Sequence, residues 1–287
     1  MVIRRGAGAT YGAAMTARVF NGIDHMMVRV KEAEPFIRLF ADIFALPVSW
    51  PLQRKEFATY AWITFGNTNL EFWAAPDNTD LPVEQSLPLF SGFALDPPDL
   101  GGSIALLEER GITCKPPRPF NTKNQEGTHV TNFTNSVILD VSNSACCVFF
   151  CKWEPDGTIF PWSERLTAEE RQLREQRQFD QCGGGPLGVI RLSEVTVATP
   201  EISSTRQQWQ AITGQTSDTF DLGRGIALTL DAGKTVQITS IVLAVKSLAV
   251  ARAYLASQSM LGEDRTDEIS IGASACSDLC IRLKEVM

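Results

Sequence analysis

A strand, a helix and three further strands follow one another early in the chain, and this order constrains the fold more than any other feature of the sequence. Residues 23–30 form a β-branched and apolar run that predicts a strand. Residues 33–46 place large apolar side chains at the spacing of one helical face, and Pro47 ends that helix. Three short strands are predicted next, at 48–50, 59–65 and 69–74. The unit is therefore β-α-β-β-β.

The same unit recurs three more times along the chain. Its opening strands are predicted at 90–95, 190–198 and 236–245, each followed by a helical face. In the second unit, strands are predicted at 137–141 and 145–153. The sequence thus predicts an α+β fold of tandem βαβββ modules, arranged as two domains of two modules each. We expect a disordered leader (1–19), an N-terminal domain (20–154), a linker (155–187) and a C-terminal domain (188–287).

The predicted linker differs in composition from the modules. Residues 164–175 are mostly charged or polar and helical by propensity, with almost no apolar face. Three consecutive glycines, at 183–185, then interrupt the helix. This pattern predicts a surface helix followed by a flexible connector.

The chain has only two histidines, and His25 lies in the middle of the first predicted strand. Burying a polar group without a partner costs about 1–3 kcal/mol, so His25 should have a compensating neighbour. Alternation along a strand places His25 on one face with Ile23 and Met27. On the strand at 69–74, Glu71 shares a face with Asn69 and Trp73. If these strands are neighbours, His25 and Glu71 face the same concavity and can ligate a metal or form an acid–base pair.

Residues 23–28 (Ile-Asp-His-Met-Met-Val), the helix at 36–46 and residues 67–72 (Asn-Thr-Asn-Leu-Glu-Phe) together resemble the vicinal oxygen chelate superfamily. That superfamily includes glyoxalase I, extradiol dioxygenases, methylmalonyl-CoA epimerase and fosfomycin resistance proteins. The resemblance covers nearly all of residues 20–287. It implies that His25 and Glu71, on the first and last strands of a module, each donate one ligand to a divalent metal such as Fe, Mn, Zn or Ni.

The remaining ligands are not supplied by the second module in the way that the resemblance implies. Aligning the second module with the first puts Gly92 opposite His25 and Phe150 opposite Glu71, and neither side chain binds a metal. Two protein ligands hold a divalent ion poorly. A metal site therefore needs a third ligand, for which the candidates are His129 and Glu194.

Three functions are compatible with these residues. The first is a glyoxalase-like lyase, isomerase or dioxygenase in which a metal bound by His25 and Glu71 acts on a small oxygenated, apolar metabolite. In the second, no metal binds and His25, oriented by Glu71, acts as a general base. The third is a protein that binds a small molecule without turning it over. In each case we expect the pocket to be lined by Met27, Trp62, Asn69, Trp73 and Phe150.

The composition of the chain limits the kinds of molecule that we expect the protein to bind. The net charge of -7, without a basic stripe, argues against nucleic acid, and no apolar run is long enough to span a membrane. Seven cysteines, an odd number, indicate reduced thiols and a cytoplasmic location. We expect a small-molecule substrate and a monomer or homodimer.

Overall fold

The protein is described by a computed structural model that covers residues 17–79, 81, 86–124 and 126–286. The first module contains β1 (Gly22–Arg29), α1 (Glu34–Ile37, continued by a π-helical segment over Arg38–Ile43), β2 (Val48–Arg54), β3 (Thr59–Thr64) and β4 (Asn69–Ala74). The second contains β5 (Leu89–Asp96), α2 (Leu100–Glu109), β6 (Arg118–Lys123), β7 (His129–Val137) and β8 (Cys147–Trp153). The predicted β-α-β-β-β order is confirmed in both.

The long helix α3 (Ala168–Cys182) separates these modules from the remaining two. The third module contains β9 (Val189–Thr199), α4 (Ile202–Thr213), β10 (Phe220–Asp221) and β11 (Ala227–Ala232). The fourth contains β12 (Gln237–Val245), α5 (Leu248–Ser257), β13 (Leu261–Asp264), β14 (Glu268–Ile271), α6 (Ala273–Cys276) and β15 (Ile281–Glu285). The third module therefore has three strands after modules of four.

The opening strands of paired modules lie side by side. In the N-terminal pair, β1 and β5 are antiparallel neighbours, β4 is parallel to β1, and β8 is parallel to β5. In the C-terminal pair, β9 and β12 are antiparallel neighbours, with β11 and β15 parallel to them. A single pairing, Phe90 with Ile238, joins the two halves into one sheet of 15 strands. The predicted α+β class of tandem modules is confirmed.

The main core lies on the helix-covered side of the sheet and runs through both halves of the chain. In β1 its members are Ile23, Met26 and Val28, all fully buried. A second, smaller cluster lies on the other side of the N-terminal half and is mostly aromatic. Burial of apolar area is the main stabilising contribution in both clusters. The aromatic cluster surrounds the candidate site described below.

Helix α3 differs from the predicted surface helix. Thr167 caps its first turn, and Glu170 bonds back to the cap in a capping box, while Gly183 ends it in a left-handed conformation. Three side chains at helical spacing, Arg171, Glu175 and Phe179, are nevertheless buried. The expectation of a solvated face was wrong because two of the three inward residues are charged, which a hydrophobic pattern counts as surface.

Two smaller expectations also need correction. Of the predicted leader 1–19, residues 1–16 lie outside the described residues, while Val19 is fully buried in the core. The strand predicted at 137–141 is instead the end of β7 and a turn of 3-10 helix over Leu139–Val141. Within the described part of the chain, no helix has both the length and the apolar content that a membrane span requires.

Candidate active site

His25 is compensated by a carboxylate that is its immediate neighbour in the sequence. Between Ile23 and His25 the pairing of β1 with β5 shifts by one residue, so that Asp24 is an extra, bulged residue. This bulge turns Asp24 away from solvent and beside the histidine, where its Oδ2 lies 2.7 Å from His25 Nδ1. The indole N–H of Trp153 donates to the same oxygen at 3.0 Å. The prediction that His25 and Ile23 lie on the same face of β1 was wrong, because the bulge puts Ile23 in the core.

The second oxygen of Asp24 is bound by Arg171, which α3 inserts beneath the strand. Nη2 of Arg171 contacts Asp24 Oδ1, and Nη1 lies 3.2 Å from Glu175 Oε1, one helical turn away. The guanidinium also lies 5.6 Å and 5.3 Å from the ring centroids of Trp62 and Trp153. A buried cation is thus paired on both sides and enclosed by aromatic faces.

Glu175 continues this network to β4 and β2. Its Oε2 accepts from Asn69 Nδ2 at 2.9 Å, and Asn69 Oδ1 accepts from Ser49 Oγ at 2.8 Å. All three residues are buried. Asn69, predicted to contact substrate, therefore supports the charged network and is not among the residues that line the cavity.

The electrostatics of Asp24 keep it ionised. Burial alone would raise its pKa, but the Arg171 guanidinium and the bond to His25 together hold the pKa of Asp24 well below its usual range. An ionised carboxylate only accepts hydrogen bonds. The hydrogen between Asp24 and His25 is therefore on Nδ1, and Nε2 is the ring nitrogen that remains for other contacts.

That free nitrogen faces Glu71, with 3.6 Å between His25 Nε2 and Glu71 Oε2. Burial raises the pKa of Glu71, while His25 and the Trp62 indole N–H oppose the rise. The structure thus brings together the two residues that the sequence singled out. Two carboxyl groups flank one imidazole, and their environments shift their pKa values in opposite directions.

A cavity of about 460 Å³ opens over His25 and Glu71. Trp62 stacks on the imidazole with 4.6 Å between ring centroids, and Phe149 meets it edge-on at 6.0 Å. Burial, followed by the nearby Glu71, raises the pKa of Tyr60 to about 12, so its hydroxyl stays protonated. The lining is mostly aromatic and includes Met27, Trp50, Phe57, Tyr60, Trp62, Trp73, Phe120, Phe133, Phe149 and Trp153.

Of the residues predicted to line the pocket, Met27, Trp62 and Trp73 do so, whereas Phe150 does not. Strand β8 pairs Gly92 with Cys147, as β1 and β4 pair His25 with Asn69. The counterpart of Glu71 is therefore two residues beyond Cys147, at Phe149. Phe150 is fully buried in the main core on the opposite face. The prediction was displaced by one residue, which inverts the face in a strand.

The residues present fit a divalent metal poorly. Among the described residues, no group of three His, Cys, Asp or Glu side chains is placed to hold an ion. His129 is exposed at the start of β7, and Glu194 is paired with Arg282 in the C-terminal half. At the counterpart positions, Phe149 has no donor atom, and a Cβ on Gly92 would lie 1.9 Å from the Cys147 carbonyl oxygen. The predicted third ligand from His129 or Glu194 was therefore wrong.

Sequence reasoning missed Asp24, Arg171, Glu175 and Phe149. Asp24 precedes His25 directly, which is a usable signal for an imidazole–carboxylate pair once a bulge is considered. The seven cysteines are all free, as predicted for reduced thiols. One of them, Cys151, lines the cavity, and burial raises its thiol pKa well above 9.

Comparison with known proteins supports the fold. No protein-family model matches the chain, and no curated protein matches it in sequence. A hypothetical protein from Staphylococcus aureus is 12% identical with a TM-score of 0.57, covering 92% of this chain and 99% of that one. Homoprotocatechuate 2,3-dioxygenase from Arthrobacter globiformis is 12% identical with a TM-score of 0.55, over 94% and 81%. The 2,3-dioxygenase LapB from Pseudomonas sp. KL28 is 11% identical with a TM-score of 0.54, over 93% of each chain.

These structures span nearly the whole chain and include extradiol dioxygenases. The protein therefore shares its fold with these 2,3-dioxygenases, and this is the fold that the resemblance of its opening and closing strands implied. At 11–12% identity the likeness describes the backbone arrangement alone. Function must be argued from the side chains.

Proposed function

We propose that the protein is a metal-independent proton-transfer enzyme, of the isomerase or lyase type, that acts on a small, largely apolar carbon acid. The observation that carries this proposal is the array Asp24–His25–Glu71 at the base of an aromatic cavity. Its two carboxyl groups differ in environment, which is how paired acid and base roles are separated.

His25 serves as the general base in this mechanism. Asp24, held ionised by Arg171, accepts a hydrogen bond from the Nδ1–H group and fixes both the tautomer and the orientation of the ring. Stacking against Trp62 limits rotation of the imidazole. Nε2 then removes a proton from a carbon adjacent to a carbonyl or similar group, and Asp24 stabilises the imidazolium that forms.

Glu71 supplies the matching acid. Burial shifts its pKa upwards, towards the acid form, and in that form Glu71 donates a hydrogen bond to the substrate oxygen where negative charge develops. Because Glu71 lies 3.6 Å from His25, a proton can pass between the two groups and return to a different position on the product. The aromatic walls exclude water and strengthen these charges.

The proposal is tested by following hydrogen–deuterium exchange at the α-carbon of a panel of small aryl and alkyl ketones by NMR in D2O. We expect exchange catalysed by the wild-type protein to fall about 10²- to 10⁴-fold in His25→Gln. The rate should be unchanged after dialysis against EDTA. Lys31→Gln, an exposed substitution in the turn after β1, is the matched control.

Two results would contradict this function. Stoichiometric metal in the purified protein that is lost in His25→Ala would favour the metal-dependent alternative. Tight retention of panel compounds without exchange, by both wild type and His25→Gln, would favour a binding protein. That second alternative is supported by how much of the cavity surface is aromatic and how little is polar.

A further inference from the structure

The entrance of the aromatic cavity carries positive charge, although the chain has a net charge of -7. Outside the cavity lies a wider, open hollow that shares three residues with it, Phe57, Phe120 and Ile159. We call this hollow the vestibule. Its charged lining residues are Lys55, Lys123, Glu126 and Arg165.

Three cations that line the cavity or the vestibule are not neutralised by any residue that the structure describes. Arg118 lines the cavity itself at the start of β6, and Lys123 ends the same strand. Lys55, the residue after β2, lines the vestibule together with Lys123. All three are exposed, and their side chains have no hydrogen bond or ion pair with any described residue.

The other charges of the vestibule leave this excess in place. Arg165 is paired with Asp156 at 2.8 Å, so it contributes little net charge. Glu126 is the one acid that lines the vestibule among the residues the structure describes. Against it stand Lys55 and Lys123 in the vestibule and Arg118 in the cavity, none of which is paired with a described residue. These cations lie beside low-dielectric aromatic walls, an arrangement that concentrates a positive field at the opening.

We propose that the substrate is an amphipathic anion, with an apolar ring system in the cavity and a carboxylate, sulfonate or phosphate group in the vestibule. This inference rests on the proposed function and specifies its substrate class. The reacting carbon lies at His25 and Glu71, while the anionic group lies beside Arg118, Lys55 and Lys123. The guanidinium of Arg118 can bind such a group with two parallel N–H donors.

The proposal is tested with two fluorescent probes that share a ring system. The probe 8-anilinonaphthalene-1-sulfonate carries an anionic group, and N-phenyl-1-naphthylamine lacks it. We expect the full-length wild-type protein to bind the sulfonate with the lower Kd. The double variant Arg118→Gln/Lys123→Gln should raise the Kd of the sulfonate by about three- to tenfold, as expected for exposed charge pairs, and leave that of the neutral probe unchanged.

Two controls locate the effect. Lys31→Gln removes an exposed cation elsewhere and should change neither Kd, and salt at about 0.5 M should weaken only the sulfonate. Met27→Trp, with its folding checked by circular dichroism, fills the cavity and should abolish binding of both probes. Probes that still bind folded Met27→Trp occupy another surface, and that result would overturn the proposal.

Equal Kd values for the two probes in the wild type, or equal losses in the double variant, would also overturn it. These failures are distinguishable from failure of the proposed function. Loss of charge preference leaves the dependence of exchange on His25 intact. Conversely, loss of that dependence leaves the charge preference measurable.

Discussion

The two halves of the protein share one fold but place different chemistry at the positions that correspond by strand register. In the N-terminal half these positions are His25, Glu71, Gly92 and Phe149, and in the C-terminal half they are Glu194, Thr229, Ser240 and Arg282. In the C-terminal half, Arg282 Nη2 lies 3.2 Å from Glu194 Oε1. Thr229 Oγ1 donates to the same oxygen at 3.2 Å. The charges of Glu194 and Arg282 therefore cancel within this set of residues.

In the N-terminal half, the reactive imidazole is paired with Asp24 through Nδ1 only, and its other nitrogen lies 3.6 Å from the Glu71 carboxyl group. The cation that balances Asp24 comes from α3, outside both modules. Burial also differs, since the side chains of Arg171 and Arg282 are 3% and 23% exposed. The same backbone can therefore hold either of two arrangements. When the cation comes from the modules themselves, it pairs with the acid at the site, and when it comes from α3, it leaves an acid–base pair facing the cavity.

The largest expected effect separates the two arginines. Arg171→Met leaves the carboxylates of Asp24 and Glu175 buried without a cation, and we expect it to lower the free energy of unfolding by about 3–5 kcal/mol. Arg282→Met breaks a partly solvated pair and should cost about 1 kcal/mol. Urea unfolding monitored by circular dichroism measures both.

Adding Asp24→Asn to Arg171→Met removes one of the stranded charges and should recover part of the lost stability. Equal losses for the two single variants would mean that the buried network around Asp24 is no more dependent on its cation than the exposed one. The contrast between the halves would then not hold.

A second contrast concerns the paired opening strands, where Gly92 corresponds to Ser240. Gly92 has a φ of +146° and a Cβ there would lie 1.9 Å from a backbone oxygen, so Gly92→Ala requires the backbone of β5 or β8 to move. We expect a loss of about 3 kcal/mol, against about 0.5 kcal/mol or less for Ser240→Ala. Thermal unfolding of the two variants side by side measures the difference.

A Gly92→Ala protein as stable as Ser240→Ala would show that the second module can accept a side chain at this position. The steric argument against a metal ligand there would then fail. Gly92 and Phe149 would still supply no side-chain ligand to a metal.

The sequence predicts a feature of the fold or of the site correctly when the pattern that indicates the feature lies within a few neighbouring residues. The modules were predicted because hydrophobic periodicity and turn residues act over a few neighbouring residues. The convergence of His25 and Glu71 followed from placing their strands side by side. By contrast, the bulge at Asp24 and the displacement from Phe150 to Phe149 are one-residue changes of register, which periodicity cannot resolve.

The role of α3 could not be predicted for a different reason. Its inward face reads Arg171, Glu175, Phe179, and charged residues are rarely buried unless paired. Their partners, Asp24 and Asn69, are more than 100 residues away in the chain. A buried ion network therefore looks like a solvated surface until the partners are known.

The smallest expected effect separates the two carboxyl groups that flank His25. Burial raises the pKa of Glu71, so the folded protein holds that proton more tightly than the unfolded chain does. The stability from this group is present below the unfolded pKa and is lost as pH rises through the folded pKa. Glu71→Gln cannot titrate, so its free energy of unfolding relative to wild type should increase as pH rises above the unfolded value of about 4.5. Asp24→Asn should change in the opposite direction and at lower pH: because the pKa of Asp24 is depressed, the variant should lose stability relative to wild type as pH rises towards the unfolded value of about 3.8, and should change little above about pH 5. Urea unfolding from about pH 2 to pH 8 measures both, and parallel curves for the two variants would show that the carboxyl groups share one environment and that the assignment of Glu71 as the acid is wrong.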